Sequence, residues 1–348
     1  MNHVGIVGHF AFGAEEQHIG GQTIKTTTIA KCIEDIFGKD NIIRLDTYRI
    51  KKKIFFFPYK LYKMMKKCMD MVILPARNGL LVLVPVLTFQ NLFFHRKLHY
   101  VVIGGWLPDF LKHRKILRKQ LKKFDAIYVE TNTMKEALVE QGFENIVLMP
   151  NFKKLDILLL DELVYPHCNP YTLCTFSRVI KEKGIEDAIE AVKRINQNLG
   201  RIIYKLDIYG QIDENQIEWF DELKKGFPEY VRYCGVVEFD RSVDVIKEYF
   251  ALLFPTYYDG EGFAGTIIDS YAAGVPLIAS DWRYNSEIVI EGKTGYLFPT
   301  KDVDALMNCL DRIYRNPEQW NAMKQNCIEE AKKYTPEAAI KILKERII

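Results

Sequence analysis

The amino-acid sequence predicts an α/β protein with two doubly wound, Rossmann-like domains, and three observations support this fold class. The chain has 348 residues, a length that suits about two domains rather than one hydrophobic core. Short apolar runs alternate with longer amphipathic segments, a pattern typical of parallel sheets covered by helices. An irregular, proline-containing stretch interrupts this alternation after Asn151. We therefore place one domain at residues 1–152 and the other at 153–335.

Short apolar runs predict the strands of both domains. In the first domain the strands are expected at His3–Val7, Asn41–Leu45, Met71–Pro75, Tyr100–Ile103, Ala126–Glu130 and Ile146–Met149. In the second they are expected at 172–176, 203–209, 230–233, 250–255, 276–279 and 296–298.

Apolar residues at helical spacing predict the helices that connect these strands. In the first domain they are expected at 21–37, 56–68, 79–94, 108–122 and 133–141. In the second they are expected at 184–198, 214–225, 242–249, 264–273, 302–315 and 317–333. A last helix, at 336–348, is expected to pack back on the first domain.

Composition and cysteine usage indicate a cytoplasmic protein. Hydrophobic residues make up 48% of the chain and charged residues 27%, as in ordinary soluble proteins. Seven cysteines without a C-x-x-C pair are typical of reduced thiols, not of a disulfide framework or zinc site. The start of the chain does not resemble a secretory signal. The apolar run 79–89 contains a proline and is shorter than the about 20 residues that cross a membrane.

The stretch "FPTYYDGEGFAGTIIDSYAAGVPLIAS", residues 254–280, carries the strongest signal for a binding site. Between a buried strand and a helix it places a glycine-rich loop, where backbone N–H groups and the helix N-terminus suit a phosphate. Two acids flank this cradle, Glu261 in the loop and Asp269 about one turn into the helix. Alternatively, Glu261 is a solvated loop acid and Asp269 a partner of the helix dipole.

The same loop contains a G-x-G-x-x-G pattern, at Gly260, Gly262 and Gly265, which also suits an NAD-dependent dehydrogenase with Asp281 as the ribose acid. Two observations disfavour this alternative. Residues 255–259 separate the strand from the first glycine, and Glu261 would repel a pyrophosphate.

A second loop, in "FSRVIKEKGIEDAIEAV" (176–192), places Arg178 and Lys183 between a strand and a helix. A guanidinium and an ammonium group there can neutralise a diphosphate without a metal. The alternative is a solvated basic turn.

Together, "SR…EKG", "EGFAGTIID", "AAGVPLIAS" and "SEIVIEGKTGYLF" resemble the C-terminal half of the retaining glycosyltransferases of family four. The resemblance covers most of residues 172–333. It implies a GT-B fold, two Rossmann-like domains facing across a cleft, with a nucleoside-diphosphate sugar as donor and neither a metal nor another cofactor. In this family, the residues that match Arg178 and Lys183 bind the leaving diphosphate, and the one that matches Glu261 contacts the donor sugar.

The resemblance also assigns the remaining donor contacts. The backbone of Gly262, Phe263, Ala264 and Gly265 matches the donors to phosphate and sugar, and Asp269 matches the acid that holds the ribose. The family usually has glutamate where Asp269 stands, so the ribose contact differs by one methylene.

The first domain resembles the family less closely. "HIGGQTIKT" (18–26) resembles the family's glycine loop, with Gly20 and Gly21 meeting the donor phosphate. On the glycines alone a tight strand-to-helix turn is an equal interpretation. Gly104, Gly105 and Trp106 stand where many relatives carry a catalytic histidine, so no such residue is assigned. His9 and His18 are loose candidates.

A basic, aromatic segment, "RIKKKIFFFPYKLYKMMKKCM" (49–69), is predicted to contact an anionic membrane. The alternative is a helix with core-facing aromatics and solvated lysines. Residues 1–152 carry 23 Lys and Arg against 13 Asp and Glu, which also favours an anionic surface. No nucleic-acid-binding motif accompanies the segment.

The sequence thus predicts a retaining glycosyltransferase on the inner face of the cell membrane, with an acceptor-binding first domain and a nucleotide-sugar-binding second domain. The resemblance and the basic first domain suggest a lipid-linked saccharide acceptor, in capsule, exopolysaccharide or lipopolysaccharide biosynthesis. Two alternatives stay open: the dehydrogenase, and a non-catalytic glycosyltransferase-like partner subunit.

Overall fold

The computed structural model describes residues 3–13, 21–48, 55–166 and 168–347. The chain divides into two compact units, residues 1–151 with 336–348, and residues 152–335. Each unit contains a six-stranded sheet whose strands pair in parallel. The prediction of an α/β protein with two doubly wound, Rossmann-like domains is confirmed.

The first unit is built on a sheet of order β2-β1-β3-β4-β5-β6. Its strands are β1 (His3–Gly8), β2 (Ile42–Asp46), β3 (Cys68–Ile73), β4 (Lys97–Val101), β5 (Ala126–Val129) and β6 (Ile146–Leu148). Central strands such as β3 and β5 are buried over most of their length, because helices cover both faces of a parallel sheet. This burial explains why the strands are apolar runs in the sequence.

Among the described residues, six helices of the first unit lie between these strands. They are α1 (Gly21–Phe37), α2 (Phe57–Lys67), α3 (Arg77–Phe94), α4 (Leu107–Leu111), α5 (Lys115–Leu121) and α6 (Asn132–Val139). The prediction of one helix at 108–122 is wrong, since α4 and α5 are separate. Arg114 explains the break: its Nη1 donates to the Phe110 carbonyl at 2.7 Å, and its backbone N–H donates to Leu111 instead.

Helix α3 is longer than the apolar run 79–89 and has 18 residues with a mean hydropathy of 1.2. By length and composition the whole helix could cross a membrane, whereas the run 79–89 alone is too short to do so. One face of α3 is packed inside the first unit, where Leu80, Leu83, Val84 and Leu87 are buried. The helix also contains Pro85, which removes one backbone hydrogen bond from its interior.

The second unit has a sheet of order β12-β11-β10-β7-β8-β9. Its strands are β7 (Tyr171–Phe176), β8 (Tyr204–Tyr209), β9 (Val231–Gly235), β10 (Ala251–Phe254), β11 (Leu277–Ser280) and β12 (Gly295–Phe298). Strand order reverses between β7 and β10, which are neighbours. In open α/β sheets such a reversal leaves a crevice at the carboxyl ends of the strands, where ligands bind.

The remaining helices are α7 (Ile185–Asn198), α8 (Ile217–Lys225), α9 (Ser242–Ile246), α10 (Gly265–Ala272), α11 (Asn285–Ile288), α12 (Val303–Arg315), α13 (Pro317–Ala331) and α14 (Pro336–Lys344). Helix α11 was not predicted, because four residues are too few to show helical periodicity. Helix α14 belongs to the first unit and packs against α1. Its Leu343 and Ala339 are buried there.

Candidate functional site

The candidate site of the second unit lies where the loops after β7 and β10 begin. These two strands are hydrogen-bonded neighbours at the reversal of strand order. Thr266, in the first turn of α10, donates its hydroxyl to the Phe176 carbonyl at the end of β7, at 2.7 Å. The helix that follows β10 is therefore fixed against the loop that follows β7.

Lys183 and Glu261, predicted as site residues, form an ion pair in which Nζ lies 2.6 Å from Oε2. Both side chains are largely buried, at 11% and 9% exposure. Thr256 donates its hydroxyl to the same carboxylate oxygen at 2.8 Å. Glu261 is therefore not a solvated loop acid, and Thr256 is a contact that the sequence analysis missed.

The backbone around Gly184 positions Lys183. Lys183 ends a short 3-10 turn, and Gly184 follows in a left-handed conformation with a φ of 70°. A Cβ at Gly184 would lie 2.1 Å from the Pro255 carbonyl oxygen, so only glycine permits this approach. Tyr257 donates its backbone N–H to the Glu182 carbonyl at 2.7 Å, which joins the two loops again.

Arg178 lies closer to solvent than Lys183. Its side chain is 48% exposed and its Nη1 lies 3.5 Å from Asp213 Oδ2. The guanidinium carbon of Arg178 lies 5.7 Å from the Tyr258 ring centre, and Lys183 Nζ lies 5.5 Å from the same ring. The structure thus brings both predicted cations to one aromatic side chain, with Arg178 at the more accessible position.

The glycine-rich loop ends at the start of α10. Gly262, Phe263 and Ala264 precede the helix, Gly265 is its first residue, and Ala264 has no side-chain cap. Backbone N–H groups in a first turn have no partner within the helix, and they give its N-terminus a partial positive charge. Phe263 is buried and packs edge-on against Tyr334, with ring centres 4.7 Å apart. Ten residues separate β10 from α10, unlike the immediate turn of a dinucleotide fingerprint.

Asp269 lies on α10 and has different partners from Glu261. Its Oδ1 accepts hydrogen bonds from Lys153 Nζ and, at 3.0 Å, from the Ser242 hydroxyl. Burial raises the pKa of Asp269, while Lys153 and Ser242 act in the opposite direction. The two acids that flank the cradle therefore have separate partners: Glu261 pairs with Lys183, and Asp269 with Lys153 and Ser242.

Lys153 and Ser242 had no sequence signal. Lys153 follows the domain boundary in "LMPNFKKLD", where nothing distinguishes it from Lys154. Its Nζ also lies 4.2 Å from the centre of the Phe239 ring, next to α9. Pairing across 116 residues cannot be inferred from local spacing.

In the first unit, Gly20 and His18 lie outside the described residues, and Gly21 is the exposed first residue of α1. His9 follows β1 and its Nδ1 lies 2.8 Å from the Thr23 hydroxyl on α1. Lys25, further along α1, was missed: it is buried and pairs with Glu130 at 3.3 Å. Burial lowers the pKa of Lys25 in spite of this partner.

Gly104, Gly105 and Trp106 lie after β4, where the family resemblance offered no catalytic histidine. Trp106 is buried and donates its indole N–H to the Ile103 carbonyl at 2.8 Å. No group of three or more metal-binding side chains occurs within the described ranges.

The chain is similar to glycosyltransferases in sequence and to proteins with a GT-B fold in structure. Residues 167–334 match the model of the family described as glycosyl transferases group 1. Over 185 residues the chain is 31% identical to the UDP-N-acetylglucosamine–peptide N-acetylglucosaminyltransferase GtfA subunit of Streptococcus gordonii. This match covers 51% of the chain but 34% of that relative, so the chain spans about a third of the length of the curated relative.

Two solved structures share the fold over the whole chain. Sucrose-phosphate synthase from Thermosynechococcus elongatus has a TM-score of 0.74 at 17% identity, covering 99% of this chain and 98% of that one. Anabaena Alr3699/HepE, solved in complex with UDP, has a TM-score of 0.75 at 13% identity, covering 99% of both chains. At these identities the similarity establishes the fold alone.

Proposed function

We propose that the protein is a retaining glycosyltransferase that moves a sugar from a nucleoside-diphosphate sugar to a saccharide acceptor. The observation that carries this proposal is the buried Lys183–Glu261 pair, located where strand order reverses and beside the N-terminus of α10. A cation and a helix N-terminus can bind the phosphates of a sugar diphosphate, and an acid can accept hydrogen bonds from its sugar hydroxyls. The glycosyl transferases group 1 match over residues 167–334 supports the same conclusion.

In this proposal the two cations of the second unit act on the leaving group. Negative charge grows on the diphosphate as the glycosidic bond breaks, and preorganised donors stabilise it most effectively. Lys183, Arg178 and the backbone of 262–265 supply such donors. When Lys183 turns to the diphosphate, Glu261 keeps its hydrogen bond from Thr256 and receives the sugar hydroxyls. No side chain is assigned as a covalent nucleophile, and no metal or cofactor is assigned.

UDP is the nucleotide that we assign to the donor. The S. gordonii relative is named for a UDP-sugar donor, and the Anabaena structure contains UDP. The ribose is assigned to Asp269, which must then share its carboxylate between the ribose and Lys153. Lys153 opposes the rise that burial causes in the pKa of this acid.

For the acceptor we propose a lipid-linked saccharide of surface polysaccharide assembly, with the first unit on the inner face of the cell membrane. Exposed lysines and aromatic side chains on α2 support this acceptor. Lys51, Lys52 and Lys53, part of the basic segment 49–69, lie outside the described residues. A peptide acceptor is the second candidate, because the S. gordonii relative is named for one.

Substitution of the two cations tests the donor site. We expect Lys183→Ala and Arg178→Ala each to lower transfer from UDP-sugars by about 10²–10³-fold, the loss typical of one transition-state donor. Lys181→Ala is the matched control, because Lys181 belongs to the same 3-10 turn but lies 5.8 Å over the Trp219 ring. Unchanged turnover in both Lys183→Ala and Arg178→Ala would contradict the proposed donor site.

Acceptor classes are separated by offering the purified chain a UDP-sugar with either a polyprenyl-diphosphate saccharide or a peptide. Transfer to the lipid-linked saccharide supports the main proposal, and transfer to the peptide replaces it by the second candidate. Turnover with either one excludes a purely non-catalytic partner subunit.

A further inference from the structure

Helices α2 and α3 expose an apolar and basic surface that the proposed donor chemistry does not use. Residues 57–67 and 77–94 contain five Lys and Arg and no Asp or Glu. The exposed apolar side chains at this surface are Phe55, Phe56, Tyr59, Tyr62, Leu81, Val82, Phe89, Leu92 and Phe93. An apolar patch of this extent marks an interaction site. We call it the α2–α3 surface.

Helix α3 is apolar on both sides. Its inner face is buried in the first unit, whereas Phe89, Leu92 and Phe93 on the outer side are 63%, 60% and 72% exposed. A helix that covers the core of a protein in water normally presents a polar outer face. Because the inner face is packed against the unit, the apolar outer face is the part of α3 that can contact an apolar partner.

A cavity of about 800 Å³ opens between α2 and α3, within the range of small-molecule pockets. Its walls include Pro58 and Tyr62 from α2, and Pro85, Val86, Phe89 and Phe93 from α3. Gln90 donates its side-chain N–H to the Pro58 carbonyl at 2.9 Å and so ties the two helices together. The pocket is an apolar slot, and the Gln90–Pro58 hydrogen bond joins its two walls.

Two cations lie beside rings that line this pocket. Lys66 Nζ lies 5.6 Å from the centre of the Tyr62 ring, and the guanidinium carbon of Arg96 lies 5.8 Å from that of Phe94. Arg96 is fixed by its hydrogen bond to the Met65 carbonyl at 3.0 Å. An apolar slot with cations at its wall complements an apolar chain that ends in an anionic group.

We propose that the pocket between α2 and α3 binds a single hydrocarbon chain of a lipid, with the lipid's phosphate at Lys66 and Arg96. This inference deepens the lipid-linked acceptor in the proposed function and names the part of the chain that receives the lipid. It extends the predicted membrane contact from the basic segment 49–69 to α3. It stands on the first unit alone, so loss of donor binding in the second unit does not affect it.

Titration with dodecyl phosphate below its micelle concentration, followed by calorimetry, tests the pocket. We expect one binding site on the full chain, and about tenfold or more weaker binding by Val86→Trp, which fills the slot. Val139→Trp is the control, because Val139 is 50% exposed on α6 of the same unit. Equal binding by Val86→Trp and the parent chain overturns the proposal.

Inorganic phosphate and UDP provide the controls for specificity. Inorganic phosphate that binds as tightly as dodecyl phosphate indicates a free anion site and overturns the assignment of a chain. We expect UDP to bind Val86→Trp and the parent chain equally, which shows that the variant is folded. If the chain binds UDP and dodecyl phosphate but transfers no sugar, the lipid pocket is supported and the proposed transferase function is contradicted.

A protein occupant of the α2–α3 surface gives a different result. If light scattering shows a dimer of this chain that dodecyl phosphate leaves intact, and calorimetry shows no dodecyl phosphate binding, the surface is a subunit interface. Flotation with phosphatidylglycerol vesicles, but not with phosphatidylcholine vesicles, is the result that supports the lipid. Loss of flotation in Val86→Trp confirms that the pocket between α2 and α3 is responsible for binding to the vesicles.

Discussion

Lys324 lies wholly inside the second unit on α13, and its Nζ is 3.5 Å from the Gly274 carbonyl oxygen. Burial lowers the pKa of Lys324 to about 8, from the ordinary 10.5. Below pH 8 the group is charged in both the folded and the unfolded chain, and its burial costs free energy. Between pH 8 and 10.5 the folded chain releases the proton first, so the stability contributed by this group rises with pH.

We expect Lys324→Met to raise the free energy of unfolding of the second unit by roughly 3 kcal/mol at pH 7, from 1.36 kcal/mol per pKa unit. The gap between variant and parent should narrow from pH 8 upward and close near pH 10.5, where the unfolded parent also releases the proton. Urea unfolding of both chains at pH 7 and pH 10.5 measures this gap. An equal difference in the free energy of unfolding at both pH values would show that packing, not charge, stabilises the Lys324→Met variant.

At the residue scale, the sequence predicts which loops carry the candidate site but not every partner of its side chains. Strand–loop–helix order placed Arg178, Lys183 and Glu261 after neighbouring strands. The structure pairs Lys183 with Glu261 and brings Lys183 and Arg178 to the Tyr258 ring. The partners of Asp269 could not be predicted. Lys153 and Ser242 come from distant segments, and only tertiary packing brings them to its carboxylate.

At the element scale, most boundaries follow from periodicity, and the exceptions have local causes. The twelve predicted strands are all present among the described residues, because a strand buried on both faces is a continuous apolar run. The division of 108–122 into α4 and α5 could not be predicted. The division depends on the Arg114 side chain, which donates to the Phe110 carbonyl in place of a backbone N–H. The spacing of apolar residues contains no information on this contact.

The turn at Gly184 makes a prediction for the loop that carries Lys183. Gly184→Ala forces a Cβ against the Pro255 carbonyl, so we expect it to shift Lys183 and weaken UDP binding by tenfold or more. Gly200→Ala is the matched control: Gly200 also has a positive φ, 62°, but nothing lies within 4 Å of its Cβ position. The control should lose only about 1–2 kcal/mol of stability, the cost of a left-handed residue, and bind UDP normally.

Thermal unfolding and UDP calorimetry of the two glycine variants separate the two effects. If both variants bind UDP as the parent does, the close approach at Pro255 does not position Lys183.

At the scale of the whole molecule, the chain leaves the first unit after residue 151 and returns to it at 336. Helix α14 then completes the first unit, and Leu343 and Ile347 are buried at 0% and 1% exposure. Removal of residues 336–348 should lower the stability of the first unit by roughly 3–6 kcal/mol, from 1.5–3 kcal/mol for each large apolar side chain.

Hydrogen exchange locates the effect of this deletion. We expect faster exchange in α1, which packs against α14, and unchanged exchange in the strands of the second unit. Equal acceleration in both units would show that they unfold as one cooperative body.

Lys153 donates its backbone N–H to the Tyr334 carbonyl at 3.2 Å, so the two ends of the second unit, residues 152–335, lie next to each other. A domain whose two ends lie close together can be inserted between two adjacent residues of a host chain. Residues 152–335 could therefore be grafted into a surface loop of another protein, or closed head to tail into a ring, with the candidate site after β7 and β10 still inside the inserted segment.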